Sequence, residues 1–331
     1  MNCLNSDLCN LNELLRLPKP KAPANEVVAS DSKDNNSTAP ESDNLAFSVP
    51  ANIDISFRSQ IGRAVFDRLP ISEISGLITA KDEKLMLNGL NMNMLQGALS
   101  LNGSYQNTIQ NQPLFDFGIE IVNFDIPMAY QTLSGLRRML PVAGHSEGKF
   151  STTMKMKGQL SSSHQIIPSS INGTGNFSTT NLLIKQSPIF NQLKGILKPE
   201  KLQNVKVADF KANFIVDNGN LELRPFTTKV AGQETRFNGT LNAENLINMR
   251  MDFKVERDAF GADIQKILAV IPGNKNIKVV PAGVIIEGPV GDPEVKMDLS
   301  ETRKYIANAT KDELQNTIDK LGKGLLKLFE K

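Results

Sequence analysis

Few residues in this 331-residue sequence have the types and spacing that chemistry requires. Gly144-His145-Ser146-Glu147-Gly148 fits G-x-S-x-G, the nucleophile elbow of α/β-hydrolases. That elbow needs a strand before the serine and a helix after it, so that a strained turn lifts Oγ above the sheet. Here the order is reversed. A helix-like pattern over Met128–Leu140 precedes the serine, and strand alternation over Lys149–Lys157 follows it. The triad order also fails, because only His164 follows Ser146 and the sole acid between them is the neighbouring Glu147. The stretch reads as a Gly-rich turn from helix to strand.

Metal and phosphate chemistry fail on inventory. His145 and His164 are the only histidines, and Cys3 and Cys9, the only cysteines, lie in the first ten residues. A His-based or thiolate zinc site therefore cannot be assembled. No D-x-D-x-D-G loop offers an EF-hand calcium site. Gly173-Thr174-Gly175 opens a strand pattern, so it cannot present a helix N-terminus to phosphate. The sequence predicts no catalytic residue, no cofactor and no metal: the protein is not expected to be an enzyme.

Charge and hydropathy narrow the partners. Lys and Arg total 37 against 35 Asp and Glu, a formal net charge of +2, which gives no electrostatic case for nucleic acid. Trp is absent and Tyr numbers 3, too few for a stacking platform. No apolar run approaches the roughly 18–20 residues needed to span a bilayer as a helix. No signal peptide opens the chain, and Met1-Asn2 cannot supply the apolar region that a lipid-attachment cysteine needs before it. Cys3 and Cys9 read as part of a frayed terminus.

The elements that would position any site are strands. From Ile171 to Glu256, apolar and polar residues alternate with period two, which sends them to opposite sheet faces. Asp217-Asn218-Gly219 between two alternating runs is a hairpin signal. Upstream, alternation predicts strands over Ile53–Phe57, Ala64–Phe66, Ile74–Ala80, Leu85–Met94, Ala98–Tyr105 and Phe115–Phe124. Downstream it predicts Ile277–Val280, Val284–Glu287 and Val295–Leu299. Short helices are expected at Met128–Leu140, Ile189–Leu197 and Asp258–Ile271, and a helical turn or two over Leu4–Arg16. Lys19–Asn44 has the composition of a disordered linker. Glycine recurs inside strands at Gly103, Gly158, Gly239 and Gly288, where bulges would curve the sheet into a trough.

The last stretch, Thr302–Phe329, is a basic amphipathic helical pattern with Leu314, Ile318, Leu321, Leu325 and Leu328 on one stripe. Such a helix suits a membrane interface, and equally a partner helix or its own domain. The strands' apolar faces have little helix to cover them. Either two sheets fold onto each other as a sandwich, or one sheet curls into an open apolar trough suited to acyl chains.

Several phrases resemble the AsmA family. They are Gly173-Thr174-Gly175-Asn176-Phe177, Leu182-Leu183-Ile184, Phe190-Asn191-Gln192-Leu193, and Asn218-Gly219 followed by Pro225-Phe226. With them go Gln96 to Tyr105 and Phe124-Asp125-Ile126. The resemblance covers roughly residues 49–300 and rests on strand, glycine and asparagine patterns. It implies a periplasmic, envelope-associated protein of Gram-negative bacteria, membrane-anchored at full length and related to bridge-like lipid-transfer proteins with repeating β-groove units. It implies roles in outer-membrane biogenesis and phospholipid movement, and makes this chain a C-terminal fragment or split product lacking the N-terminal anchor.

The expectation is therefore a mainly β fold, a long curled antiparallel sheet with short interspersed helices and a C-terminal amphipathic helix. Residues 1–48 would be the tail of a preceding unit plus linker, 49–300 the β-groove, and 301–331 the helix. The expected function is an apolar groove for phospholipid transfer between inner and outer membrane; the alternative is an interaction module influencing outer-membrane protein assembly without carrying lipid. Expected partners are phospholipid acyl chains, the membrane surface through the C-terminal helix, and the N-terminal part of the same protein. Candidate lining residues are Ile53, Ile55, Phe57, Leu99, Leu101, Phe117, Ile119, Ile121, Phe214, Val216, Leu221, Leu223, Met251, Phe253 and Val255. Alternation does not say which face is concave. About 14 strands at ~4.8 Å give a groove on the order of 65 Å, the distal part of a bridge rather than a whole one.

Overall fold

The computed structural model describes residues 2–6, 9–10, 49–66, 69–108, 112–163, 165–187, 192, 203–256, 279–298, 300–301, 304 and 308. Among the described residues, sixteen strands form one hydrogen-bonded sheet. They are β1 (Asn2–Ser6), β2 (Cys9–Asn10), β3 (Asp54–Phe66), β4 (Leu69–Lys81), β5 (Lys84–Met94) and β6 (Gly97–Gln106). Then come β7 (Leu114–Asp125), β8 (Ser146–Gln159), β9 (Asn172–Lys185), β10 (Asn204–Lys206) and β11 (Phe210–Asp217). The remainder are β12 (Asn220–Val230), β13 (Gln233–Leu241), β14 (Leu246–Glu256), β15 (Val279–Pro289) and β16 (Glu294–Asp298). The order is β1-β3-β4-β5-β6-β7-β8-β9-β11-β12-β13-β14-β15-β16, with β2 on β3 and β10 on β9, so from β3 on the sheet is laid down in chain order and does not close. This is the mainly β, antiparallel architecture that the alternation predicts.

The chain divides into two compact units. The first comprises Met1–Met94, Ser100–Phe117 and Gly158–Ile167; the second comprises Leu95–Leu99, Gly118–Lys157 and Pro168–Lys331. In the first, β3 and β4 pair over their whole lengths, from Asp54↔Lys81 to Phe66↔Leu69. Its core is Ile61, Ala64, Ile71 and Ile74, with Leu69, Leu90 and Met92 packed against them.

Local chemistry accounts for the corners. Asp82 and Glu83 (φ 47° and 62°) close β4 and β5, and Asn218 and Gly219 (φ 47° and 78°) close β11 and β12. Two consecutive positive-φ residues are what a type I′ hairpin turn demands, because its twist matches that of the strands.

The structure corrects several expectations. The leucine spacing near the N-terminus does not form a helix where it is described: Asn2–Ser6 and Cys9–Asn10 are strands, parallel to β3. The free edge of β3 offers a row of backbone partners, and ladder pairing outweighs the spacing. Met128–Leu140 is not one helix. It is α1 (Ile126–Thr132), capped by Asp125, then a break at Leu133 and α2 (Ser134–Met139). Gly288 is not a bulge, since its ladder to β14 runs through without a register shift; Gly239 pairs in register with Met249 and lies opposite a bulge whose extra residue is on β12, just past the Leu223↔Gly239 pair. The strands expected separately at 53–57 and 64–66 are one, as are those at 277–280 and 284–287 where described. Register irregularities fall at Gly148, on β12 between Leu223 and Phe226, and in the β4–β5 ladder between Ser72 and Leu77. The helices expected at 189–197 and 258–271 lie outside the described residues, Gln192 excepted, and Ser300, Glu301, Lys304 and Asn308 are helical.

Candidate functional site

In the second unit the registers sort side chains cleanly. Phe214 stands opposite Leu223, Leu223 opposite Gly239, Gly239 opposite Met249, Met249 opposite Ile286, and Ile286 opposite Val295. A second row runs Phe226, Phe237, Met251, Val284, Met297. The intervening residues, among them Lys211, Asn213, Glu222, Arg236, Asn238, Arg250 and Asp252, take the other face.

Bulges keep that sorting in phase. Leu221 and Leu223 are two apart, but Phe226 is three beyond Leu223, which strict alternation would send to the wrong face. The register shift at Arg224-Pro225 absorbs the extra residue. Pro225 brings no N–H to the ladder, so a bulge is a natural place for it. A second irregularity, at Gly148 (φ 119°) and Asn181 (φ 55°), does the same for Thr179 and Leu182. There Asp209 Oδ1 accepts from Asn181 N at 2.9 Å.

Across this face runs a ladder of six phenylalanines that period counting strand by strand does not show: Phe124, Phe150, Phe177, Phe210, Phe226 and Phe237. Successive ring centroids are 5.9, 5.8, 6.2, 4.8 and 5.1 Å apart. Phe124 and Phe150 are buried; the other four are half-buried. Such pairs contribute on the order of 1 kcal/mol each beyond their buried area. The signal was available as at least one phenylalanine in each of the six strands, but choosing and aligning them needs the pairing registers.

The same face is concave. Val205 and Val207, beside β9, share a buried cluster with Val284 of β15, and Met251, Phe253, Ile286 and Val295 pack against it. Strands β12, β13 and β14 intervene in the sheet, so this contact requires the apolar face to curl inward. Of the candidate lining residues, Phe214, Val216, Leu221, Leu223, Met251 and Phe253 are therefore on the concave face, Met251 and Phe253 within reach of the packed cluster. Leu99, Ile119 and Ile121, in the same unit, are half-buried. Val255 lies in β14, its side chain outside the described ones. In the first unit, Ile55 pairs with Ala80 and Phe57 with Ile78, continuing to Leu85 and Leu87; Ile55 is 56% exposed. Ile53, Leu101 and Phe117, also there, are half-buried. Leu314, Ile318, Leu321, Leu325 and Leu328 lie outside the described residues.

The hydrolase-like motif is occupied by structure. Ser146 begins β8, is 7% exposed, and its hydroxyl donates to Val142 O at 2.8 Å. Gly144 is held under the Tyr130 ring, where a Cβ would lie 2.6 Å from Cζ. His164 lies outside the described residues.

The opposite, polar face carries a clasp. Arg250 Nε donates to Asp252 Oδ1 and an Arg250 guanidinium nitrogen to Asp298 Oδ2, each at 2.8 Å. Asp298 Oδ1 accepts from Ser300 N at 2.9 Å, where helix begins. The bonds from Ser300, backbone first and then side chain, and after them those from Arg250, hold the Asp298 carboxyl down to about 2, against an opposing effect of burial that exceeds either Arg250 contribution. A cavity of about 510 Å³ lies near the β13–β14 and β15–β16 turns, lined by Thr240, Asn248, Glu287, Asp292 and Glu294 among others. Lys296 pairs with both Glu287 and Glu294. Among the described residues no group of His, Cys, Asp or Glu is placed to hold a metal ion, and no helix is long and apolar enough to cross a membrane. Compared with protein-family models, curated proteins and solved structures, the chain matches none.

Proposed function

We propose that this protein is a non-enzymatic carrier of lipid acyl chains, working in the cell envelope in phospholipid movement between inner and outer membrane. The concave apolar face of the second unit holds the chains, and the polar face meets water. The observation that carries this reading is the phenylalanine ladder, one ring from each of six paired strands, on a face shared with Leu, Met and Val and with the buried threonines Thr152, Thr179, Thr228 and Thr235. A row of that length, half-buried from Phe177 onward, offers the apolar contact that a hydrocarbon chain needs. The AsmA-like phrases of the sequence point the same way, and the envelope location rests on them.

One observation favours the second reading, an interaction module in outer-membrane protein assembly that carries no lipid. Where Val205 and Val207 meet Val284, the concave face is filled by its own side chains. Native mass spectrometry of the chain purified in mild detergent, with lipid extraction, separates the two. Co-purifying phospholipid that is lost in Phe214→Asp, with the circular dichroism spectrum kept, supports the carrier. A lipid-free, monodisperse chain refutes it and leaves the module.

A further inference from the structure

A sheet that does not close has two outer edges, and this chain lays its own residues on both. At the last edge, β16 is five residues long, carries Glu294, Lys296 and Asp298 at alternate positions and follows Pro293. Short, charged strands beside a proline are poor templates for a further strand. A side chain adds to that protection. Gln192, in the connection between β9 and β10, donates from Nε2 to Pro293 O and accepts at Oε1 from Val295 N, both at 3.0 Å.

The first edge is built the opposite way. β3 is 13 residues long, contains no proline, and pairs on its inner side with β4 from end to end. Three exposed large apolar side chains lie on it, Ile55 towards one end and Val65 and Phe66 at the other. A long edge strand with exposed apolar residues is a template for pairing with another chain. The strands that stand there are β1, opposite Phe57 to Ile61, and β2, opposite Ala64 and Val65. They reach seven of the thirteen positions, leaving Ile55 and Phe66 without a partner on that side. Both ladders are parallel, the slightly less stable pairing per residue. Their advantage is that they belong to the same chain, which gives them a high effective concentration at this edge.

We infer that the segment carrying β1 and β2 is a guard over the β3 edge, and that displacing it opens this edge to the same edge of a second copy of the chain. The fit to a second copy comes from where the apolar residues sit. Two β3 strands set antiparallel about a two-fold axis through their middles bring the Ile55 end of each chain to the Val65–Phe66 end of the other. That contact is made twice. Each copy contributes the same edge, so the pairing closes on itself and stops at a dimer. The inference concerns the first unit alone and does not depend on what the concave face of the second unit carries.

The test uses the full chain in reducing buffer, so that Cys3 and Cys9 cannot link copies, with mass read by light scattering after size exclusion. The unaltered chain should be a monomer. The double variant Leu4→Pro, Asn5→Pro breaks the β1 ladder, because alternate residues of a strand face the same neighbour and one of the two prolines removes an N–H that β3 accepts. It should double in mass. Adding Ile55→Lys should return it to a monomer, since a lysine blunts an edge. A dimeric unaltered chain, a monomeric proline variant, assembly beyond the dimer, or a dimer that Ile55→Lys leaves intact each overturns the inference. Leu4→Gly with Asn5→Gly takes the place of the prolines should that variant not fold. A second arm checks the guard's position without relying on assembly. Cys3 and Arg58 are register partners, and strands ~4.8 Å apart are within reach of a disulfide. In the variant Cys9→Ser, Arg58→Cys, mild oxidation should join positions 3 and 58 within one chain and leave it a monomer. Failure to join removes the guard from the β3 edge and overturns the inference whatever the masses show.

Discussion

Replacing Asp298 by Asn probes the clasp that ties β14 and β16 to the helix start. Asp298 accepts from Ser300 N and from Arg250, and its carboxyl is held at about 2 in place of an ordinary 3.8. A tenfold change in proton affinity is worth about 1.4 kcal/mol, so the depression corresponds to about 2 kcal/mol of stability at neutral pH. Its side chain is 20% exposed and its surroundings are open to solvent, so screening takes that figure down to about 1–2 kcal/mol. The folded pKa is depressed below the unfolded one. The contribution is therefore complete above about pH 5, and is lost as pH falls from the unfolded value through the folded one. Asn keeps the shape and one acceptor oxygen but not the charge. The expected result is a loss of about 1–2 kcal/mol at pH 7 that shrinks to below about 1 kcal/mol near pH 2.5. Urea denaturation of both proteins at pH 7, 5, 4, 3 and 2.5, followed by circular dichroism, reads it directly. An equal loss at pH 7 and pH 2.5 refutes the ionic origin and reduces the clasp to a hydrogen bond.

Other positions give sharper structural readouts. Phe226→Ala removes the ring between Phe210 and Phe237 and should cost about 3 kcal/mol, with a coupling of about 1 kcal/mol to Phe237→Ala in a double-mutant cycle; zero coupling would mean the two rings do not stack. Gln192→Ala should leave global stability within about 1 kcal/mol but speed hydrogen exchange at the Val295 amide severalfold; unchanged exchange there would show that the edge of β16 is covered by something else. Gly219→Ala combines φ 78° with a Cβ placed 2.4 Å from Pro168 O, and should cost about 2–3 kcal/mol by thermal or urea unfolding. A neutral effect would refute the I′ turn.

Some of this was legible without coordinates. Period-two alternation identified Phe210–Val216 and Leu221–Leu223 as strand faces, and Asn218-Gly219 as their turn, because both signals are local and set by backbone sterics. Inventory also shaped the expectation about metals: with two histidines and two cysteines in all, and no cysteine near a histidine in the sequence, no zinc-ligand spacing appears. Alternation misled where an extra residue shifts the phase, as at Arg224-Pro225, and where a ladder edge recruits a segment with helical spacing, as at Asn2–Ser6.

What the sequence by itself determined is which side chains share a face within each unbroken run, since strand geometry alternates them regardless of what lies beyond; across the bulges at Arg224-Pro225 and Gly148 the pairing registers were needed. Which of the two faces curls inward was decided only by tertiary structure. Nothing local tells Val205 that Val284 lies opposite it. That contact is made by twist and bulges accumulated over the strands between β10 and β15, and by a glutamine about a hundred residues from the edge it fastens. The phenylalanine ladder has the same origin. Each ring is placed on its face by its own strand, but only the pairing registers bring six of them into one row.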